Sequence, residues 1–367
     1  MQPLKQASGP THEFVIVGLG AIGTLYAAHL SQYHACRALM AADHQHPGAD
    51  AMVRRRLLGQ TSSTSIELPV ISSLSELTSQ TTHLWVLLCC KAAVANRLLP
   101  ILMDELRALS LEDESRQAGL VVMQNGLQTH TLANAAYKTV FSGHSRIRLL
   151  AASTTEAARR EADETGIVHH SATGETTVGL LDHQPVDDGY DPASELSELL
   201  TQSGLGARPV DRIEGILWNK LALNAIINPL TALLRCRNGE LPALVDYARL
   251  AQPIATEVLA AWQHWSARRA ALPNSTRENG AGMSIAVPET VDELLARVQD
   301  ICQRTAPNRS SMLQDVLAGR RTEIDAINGY IVDYCEQYGL PCRTNSELVQ
   351  TVAALTHSLQ TKDQDYG

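Results

Sequence analysis

Lys220, Asn224 and Asn228 recur every fourth residue in the segment WNKLALNAIINP at 218–229, which is otherwise mostly leucine, isoleucine and alanine. On a helix this spacing puts all three on one face, drifting by about 40° per step. Burying an ammonium and two carboxamides costs free energy unless each finds a partner, and a small polar ligand is one such partner. An ammonium beside a carbonyl stabilises the negative charge that grows on the oxygen during reduction, and it can donate the proton. Partial burial lowers a lysine's pKa toward neutrality, which suits that task. The spacing is equally met by a lysine that reaches water and asparagines that cap or face solvent. Pro229 disfavours helical geometry at Asn228, so the helix is expected to bend or end there.

A second constellation is GLGAIG at 18–23, that is Gly18, Leu19, Gly20, Ala21, Ile22 and Gly23. It follows a β-branched run at 14–17 and opens a helical stretch from about 21 to 31. In this context a G-x-G-x-x-G loop binds a dinucleotide: the first glycine turns the chain, the second lets a pyrophosphate approach, and the third packs helix on strand. The phosphates then rest on free N–H groups at the positive helix end. The second strand-like segment ends at Met40-Ala41-Ala42-Asp43. An acidic residue there holds the ribose hydroxyls of NAD. Arg54, Arg55 and Arg56 supply either a clamp for the extra phosphate of NADP or a solvated helix face. The two signals oppose each other and leave NADP(H) and NAD(H) level.

These groups need a scaffold. A chain of 367 residues exceeds what one core usually serves, so two domains are expected. Hydrophobic residues make up 44% and charged residues 19%, an ordinary globular balance, while only 4% aromatics means cores of Leu, Ile, Val and Ala. Short apolar runs at 14–17, 84–90 and 120–123 alternate with helical stretches, which predicts a parallel, doubly wound sheet. Further strand-like pieces lie at 147–151, 166–170, 176–180 and 207–210, with a helix over 193–202. From Arg212 onward apolar residues recur at helical spacing, as in Ile324, Ile327 and Ile331. The expected organisation is a flexible extension over 1–12, a Rossmann-type dinucleotide-binding domain over 13–211, and a helical domain over 212–367 carrying substrate and catalytic groups. Polar stretches at 182–195 and 272–283 read as surface connections.

The net charge of −9 opposes nucleic-acid and anionic-membrane binding. No run of about 18 apolar residues offers a membrane span. The amino terminus has no apolar leader, and seven irregularly spaced cysteines fit a reduced, cytoplasmic compartment. No cysteine or histidine pair has zinc-ligand spacing, so no metal is expected. Monomer and homodimer both stay open.

At 322–325 the pair Thr322 and Asp325 reads as a capping pair that starts a helix, with Glu323 in its first turn. Four segments together resemble the ketopantoate reductase (2-dehydropantoate 2-reductase) family: GLGAIG at 18–23, QNGLQ at 124–128, WNKLALNAIINPLTAL at 218–233 with NGEL at 238–241, and SSMLQDVLAGRRTEIDAINGY at 310–330. The resemblance runs from about Phe14 to about Leu359. It implies a Rossmann domain followed by an all-helical domain like the 6-phosphogluconate dehydrogenase C-terminal domain. It also implies reduction of 2-dehydropantoate, a small 2-keto acid, to pantoate with NAD(P)H in pantothenate biosynthesis. By the same resemblance Lys220 is the catalytic lysine and Glu323 the acidic residue at the substrate oxygen. Asn224, Asn228 and Asn238 line the substrate pocket, and Ser311 holds the substrate carboxylate. Asn125 lies near both nicotinamide and substrate, Lys91 lies beside the cofactor, and Glu323 also borders it. The chain departs from the pattern at Ala42-Asp43, where the family commonly has a basic residue, and at Gln128, where members often carry glycine. It is also longer around 182–195 and 267–300. The alternatives are a reductase of a related branched 2-keto acid and a dinucleotide sensor without catalysis. Lys220, Asn224, Ser311 and Glu323 speak against a sensor, which needs no proton donor.

Overall fold

The computed structural model describes residues 12–40, 51–59, 62–77, 82–113, 115–141, 146–161, 166–181, 190–271 and 286–362. Asp43, the proposed connection at 272–283 and most of that at 182–195 lie outside the described residues. The chain forms two units, Met1–Gln124 with Thr129–Ile213, and Asn125–Gln128 with Glu214–Gly367.

Among the described residues, the first unit is built on an 11-stranded sheet. Its strands are β1 (His12–Val17), β2 (Ala35–Leu39), β3 (Met52–Leu58), β4 (Ser63–Ile71), β5 (His83–Leu88), β6 (Gln117–Val122), β7 (Ile147–Thr154), β8 (Ala157–Arg160), β9 (Ile167–Ala172), β10 (Thr176–Leu180) and β11 (Ala207–Pro209). The order is β11-β10-β7-β6-β5-β1-β2-β4-β3-β9-β8. The centre is parallel: β1 pairs with β2 and β5, and β6 lies between β5 and β7. Helices α1 (Ala21–Leu30), α2 (Ala92–Glu112), α3 (Gln128–Val140) and α4 (Pro192–Gln202) accompany it. The central strands read as unbroken apolar runs because both faces are covered. Phe14, Ile16, Trp85, Leu87, Val121 and Leu150 pack together with Leu25 and Tyr26 of α1. Each such side chain contributes roughly 1.5–3 kcal/mol on burial.

The sheet is wider than the sequence suggests. The antiparallel pair β3–β4 extends it, and β9 adds parallel to β3. Arg54, Arg55 and Arg56 therefore sit on a strand, and the expected helix face is corrected. Arg54 pairs with Glu67 across the hairpin at 2.8 Å, and Arg56 donates to Ser63 at 3.0 Å. Three consecutive arginines carry no helical period, and the pairing partners come from the next strand. Strand β5 ends at Leu88, so Cys89 and Cys90 follow the strand and do not belong to it. His12 is the first residue of β1 and not the last of an extension.

The second unit is helical: α5 (Glu214–Leu234), α6 (Val245–Ala270), α7 (Val291–Arg304), α8 (Ser311–Leu317), α9 (Tyr330–Tyr338) and α10 (Arg343–Lys362), with a π-helical turn at Asp325–Gly329 running into α9. Trp218 of α5 and Trp262 of α6 are fully buried, and Trp218 also meets Trp265, Tyr330 and Tyr334 edge-on or tilted. The helix α5 passes through Pro229 and continues to Leu234, so of the two expected outcomes, a bend or an end, the end does not occur. A helix packed on its neighbours tolerates an internal proline when the freed carbonyl finds another donor. Among the described residues no helix is long and apolar enough to cross a membrane.

Candidate active site

The first unit carries the glycine loop between β1 and α1. Gly18 has φ +95°, and a Cβ on it would stand 2.6 Å from the Cβ of Cys90. A Cβ on Gly23 would run into the carbonyl of Gly18. Gly20 is the N-cap of α1, in extended conformation, and a Cβ there would meet only open space. No side chain caps α1 and its first turn holds no acidic residue. The first-turn N–H groups have no intrahelical acceptor. An uncapped helix mouth with open space before it fits a pyrophosphate. Leu19, Ala21 and Ile22 complete the loop and pack partly buried against the apolar core. The neighbouring strand end is pinned by buried Gln124, whose Nε2 donates to the carbonyls of Leu88 at 2.6 Å and Cys90 at 2.9 Å. Lys91 is the exposed N-cap of α2, directly after that pinned end.

The second unit gathers the polar face. On α5, Lys220 and Asn224 are half-buried and Asn228 is buried. Desolvation pushes the Lys220 pKa down to about 8, against the pull of the Glu323 carboxylate, which favours the ammonium. Asn125 Nδ2 donates to Glu323 Oε2 at 3.2 Å. Gly126 has φ +81°, and a Cβ on it would collide with the carbonyl of Ala326. The Asn125–Gly126 turn is thus seated on the segment that begins at Glu323. Lys220, Glu323 and Asn125 form one electrostatic group although they are far apart in sequence.

The cap expected at Thr322 is replaced. Thr322 Oγ1 accepts only a long 3.4 Å bond from the N–H of Ile324, and Asp325 pairs with Arg321 at 2.9 Å. The Glu323 carbonyl accepts from the N–H groups of Ala326 at 3.0 Å and Ile327 at 3.1 Å. Glu323 therefore stands just before the helical turn and not inside it. A threonine and an acid three apart satisfy the capping pattern, but Arg321 is four residues from Asp325 and takes its carboxylate instead.

Ser310 caps α8: its Oγ accepts from the N–H of Leu313 at 3.1 Å and from Thr231 Oγ1 at 2.7 Å. Ser311 is exposed at the start of the same helix. Asn238 is buried, and its Nδ2 donates to Thr305 Oγ1 at 2.9 Å, so half of its amide is already engaged within the unit. Residues that sequence reading missed include Thr231, Ser310 and Asn328. Each is an ordinary polar residue in its own segment and is distinguished only by a distant partner.

One histidine cluster also escaped the spacing argument. His12, His83 and Glu195, from β1, β5 and α4, bring their ligand atoms within 4.8 Å of one another. Glu195 lies 3.1 Å from His83 Nδ1 and accepts from Tyr190 Oη at 2.6 Å, while His12 Nδ1 is buried without a hydrogen-bond partner.

Comparison with known proteins matches residues 14–183 to the family described as Ketopantoate reductase PanE/ApbA, and residues 212–356 to its C-terminal counterpart. A 2-dehydropantoate 2-reductase of Archaeoglobus fulgidus is 32% identical over 197 residues, covering 53% of this chain. The match spans 57% of that relative's length. A 2-dehydropantoate 2-reductase of Vibrio cholerae is 28% identical over 344 residues, covering 94% of this chain and 98% of the relative. The crystal structure of a ketopantoate reductase from Ralstonia eutropha JMP134 superposes with a TM-score of 0.69 at 19% identity, over 95% of this chain and 100% of that one, a likeness of fold.

Proposed function

The chain belongs to the ketopantoate reductase family, and from that premise we propose that it reduces 2-dehydropantoate to pantoate with NAD(P)H, in the cytoplasm, as a step of pantothenate and coenzyme A biosynthesis. The observation that carries this reading is the half-buried Lys220 of α5 within the electrostatic reach of the Glu323 carboxylate, which Asn125 in turn holds at 3.2 Å.

The dinucleotide supplies hydride to the keto carbon when bound. The glycine loop holds its pyrophosphate on the N–H groups of α1, with Lys91 beside it. The residues of the helical unit manage the other half of the reaction. Lys220 stabilises the charge that develops on the carbonyl oxygen and donates the proton that completes the alcohol. Glu323 keeps enough of Lys220 protonated and holds its direction, and Asn125 holds Glu323. Asn224 and Asn228 orient the keto acid along α5, and Asn238 is assigned to the substrate pocket by the family resemblance. Ser311 receives the substrate carboxylate, with Ser310 fixing the start of α8 beneath it.

The test is oxidation of NADPH and of NADH, followed by absorbance, with ketopantoate and a panel of branched 2-keto acids. Turnover with ketopantoate above all others is expected. No turnover with any keto acid would sink the reading, and preference for another acid would move it to that relative. For the cofactor, Asp43 as a ribose ligand favours NADH, and Asp43→Ala should then erode that preference. Strong wild-type selectivity for NADPH would remove the role of Asp43.

A further inference from the structure

Pro229 lies inside α5 and has no N–H to give. The carbonyl of Ala225, four residues earlier, therefore lacks the donor that an interior helix carbonyl normally has. Ala225 is fully buried, so water does not replace it. The replacement is a side chain: Asn328 Nδ2 donates to the Ala225 carbonyl at 2.8 Å. Asn328 is itself fully buried and belongs to the π-helical turn Asp325–Gly329, which starts two residues after Glu323.

The orientation of that amide is fixed by a second chain of bonds. Asn328 Nδ2 also donates to Asn345 Oδ1 at 3.0 Å, which uses its other hydrogen. Asn345 Nδ2 donates to Glu257 Oε2 at 2.7 Å. The Glu257 carboxylate further accepts the N–H groups of Thr344 and Asn345, each at 2.8 Å, at the start of α10. A carboxylate of α6 thus sets Asn345, Asn345 sets Asn328, and Asn328 grips α5 at the turn that carries Asn224.

We propose that Asn328 is a positioning residue of the reduction: by supplying the donor that Pro229 withholds, it keeps the Lys220–Asn224 face of α5 in register with Glu323. The inference rests on the proposed reductase reading for its functional meaning. The helix and the Glu323 segment are joined here by a directional bond, whereas apolar packing alone tolerates small slides. A misplacement of about 1 Å in such a group costs on the order of 10²-fold in rate.

The test is a double-variant comparison. Asn328→Leu should lower kcat by roughly tenfold to 10²-fold and leave the dinucleotide Kd unchanged. Pro229→Ala returns an N–H to position 229, so the loss caused by Asn328→Leu should shrink several-fold in that background. Asn328→Asp, the same shape but a poor donor, should behave like Asn328→Leu and serves if the leucine variant does not fold. An equal loss with and without the Pro229→Ala substitution overturns the proposal, because Asn328 would then act only through Asn345. Full activity of both Asn328 variants also overturns it. If the wild type reduces no 2-keto acid, the functional reading falls, and the clamp is decided by the Lys220 pKa from carbon NMR titration of labelled lysine. Asn328→Leu should move that pKa and Pro229→Ala should return it; an unmoved value sinks the clamp.

Discussion

The glycine loop and the polar face of α5 solve the same problem, recognition of a polar ligand, in opposite ways. The loop works by leaving side chains out: Gly18 and Gly23 allow backbone to meet backbone, and Gly20 leaves the mouth of α1 open. The α5 face works by side chains that are costly to bury and are held by others far away. Lys220 answers to Glu323, Glu323 to Asn125, and the helix beneath them to Asn328. A backbone site is encoded within six residues, while a side-chain site of this kind is spread over two hundred. The first fails by steric intrusion and the second by loss of alignment or charge, and these failures have different signatures.

The largest effect should come from removing the ammonium. Lys220→Met is expected to lower kcat by roughly 10²-fold or more, the usual scale of a lost general acid, with dinucleotide affinity intact. A variant that keeps its rate would show that the α5 face does not donate the proton. Next is the loop: Gly23→Val must displace the Gly18 carbonyl, and fluorescence titration should show dinucleotide Kd raised about tenfold or more, given the strain of forcing a side chain into packed backbone. If catalysis fell while Kd held, the division of labour between the regions would be wrong.

A smaller effect concerns pH. Lys220 must carry its proton to act as an acid, so kcat/KM should be flat below about pH 8 and fall above it. Glu323 favours the charged lysine, so Glu323→Gln should lower the Lys220 pKa further and move the falling limb to lower pH. A limb that stays in place would separate Glu323 from Lys220. The smallest effect lies at the far end of β1 and β5. Burial lowers the pKa of His12 and His34, so the unfolded chain takes up protons on these groups first as pH falls below their ordinary value of 6.5. Burial raises Glu195, but bonds from His83 and Tyr190 outweigh it and leave its pKa lowered. Its stabilising contribution is present above the ordinary carboxylate range and is lost as pH falls through its folded value. Both signs predict a melting temperature that declines below pH 6.5, with a shallower decline in the His12→Phe variant. Identical slopes would clear the cluster of any part in acid stability.

The division between a sheet-building half and a helical half was legible because it rests on period and local motif. The strands at 14–17, 84–88 and 120–122 announce themselves as apolar runs, and the glycine loop needs only its own neighbours. The hairpin of β3 and β4 was hidden because three arginines break the apolar residues of β3 and Pro69 interrupts those of β4, so the pair owes its conformation to cross-strand contacts. Asp325 satisfied a capping pattern that Arg321 then claimed.

The loop, the helical stripe of Lys220, Asn224 and Asn228, and the order of the two halves are written in residue order alone, since each depends on interactions within a few residues. The packing of Asn125–Gln128 with the helical unit, the bond between Thr231 and Ser310, and the donor that Asn328 supplies beside Pro229 arise only once the chain has folded. A hydrogen bond between residues a hundred positions apart leaves no periodic trace in the chain, because its geometry exists only after the helices on either side have packed.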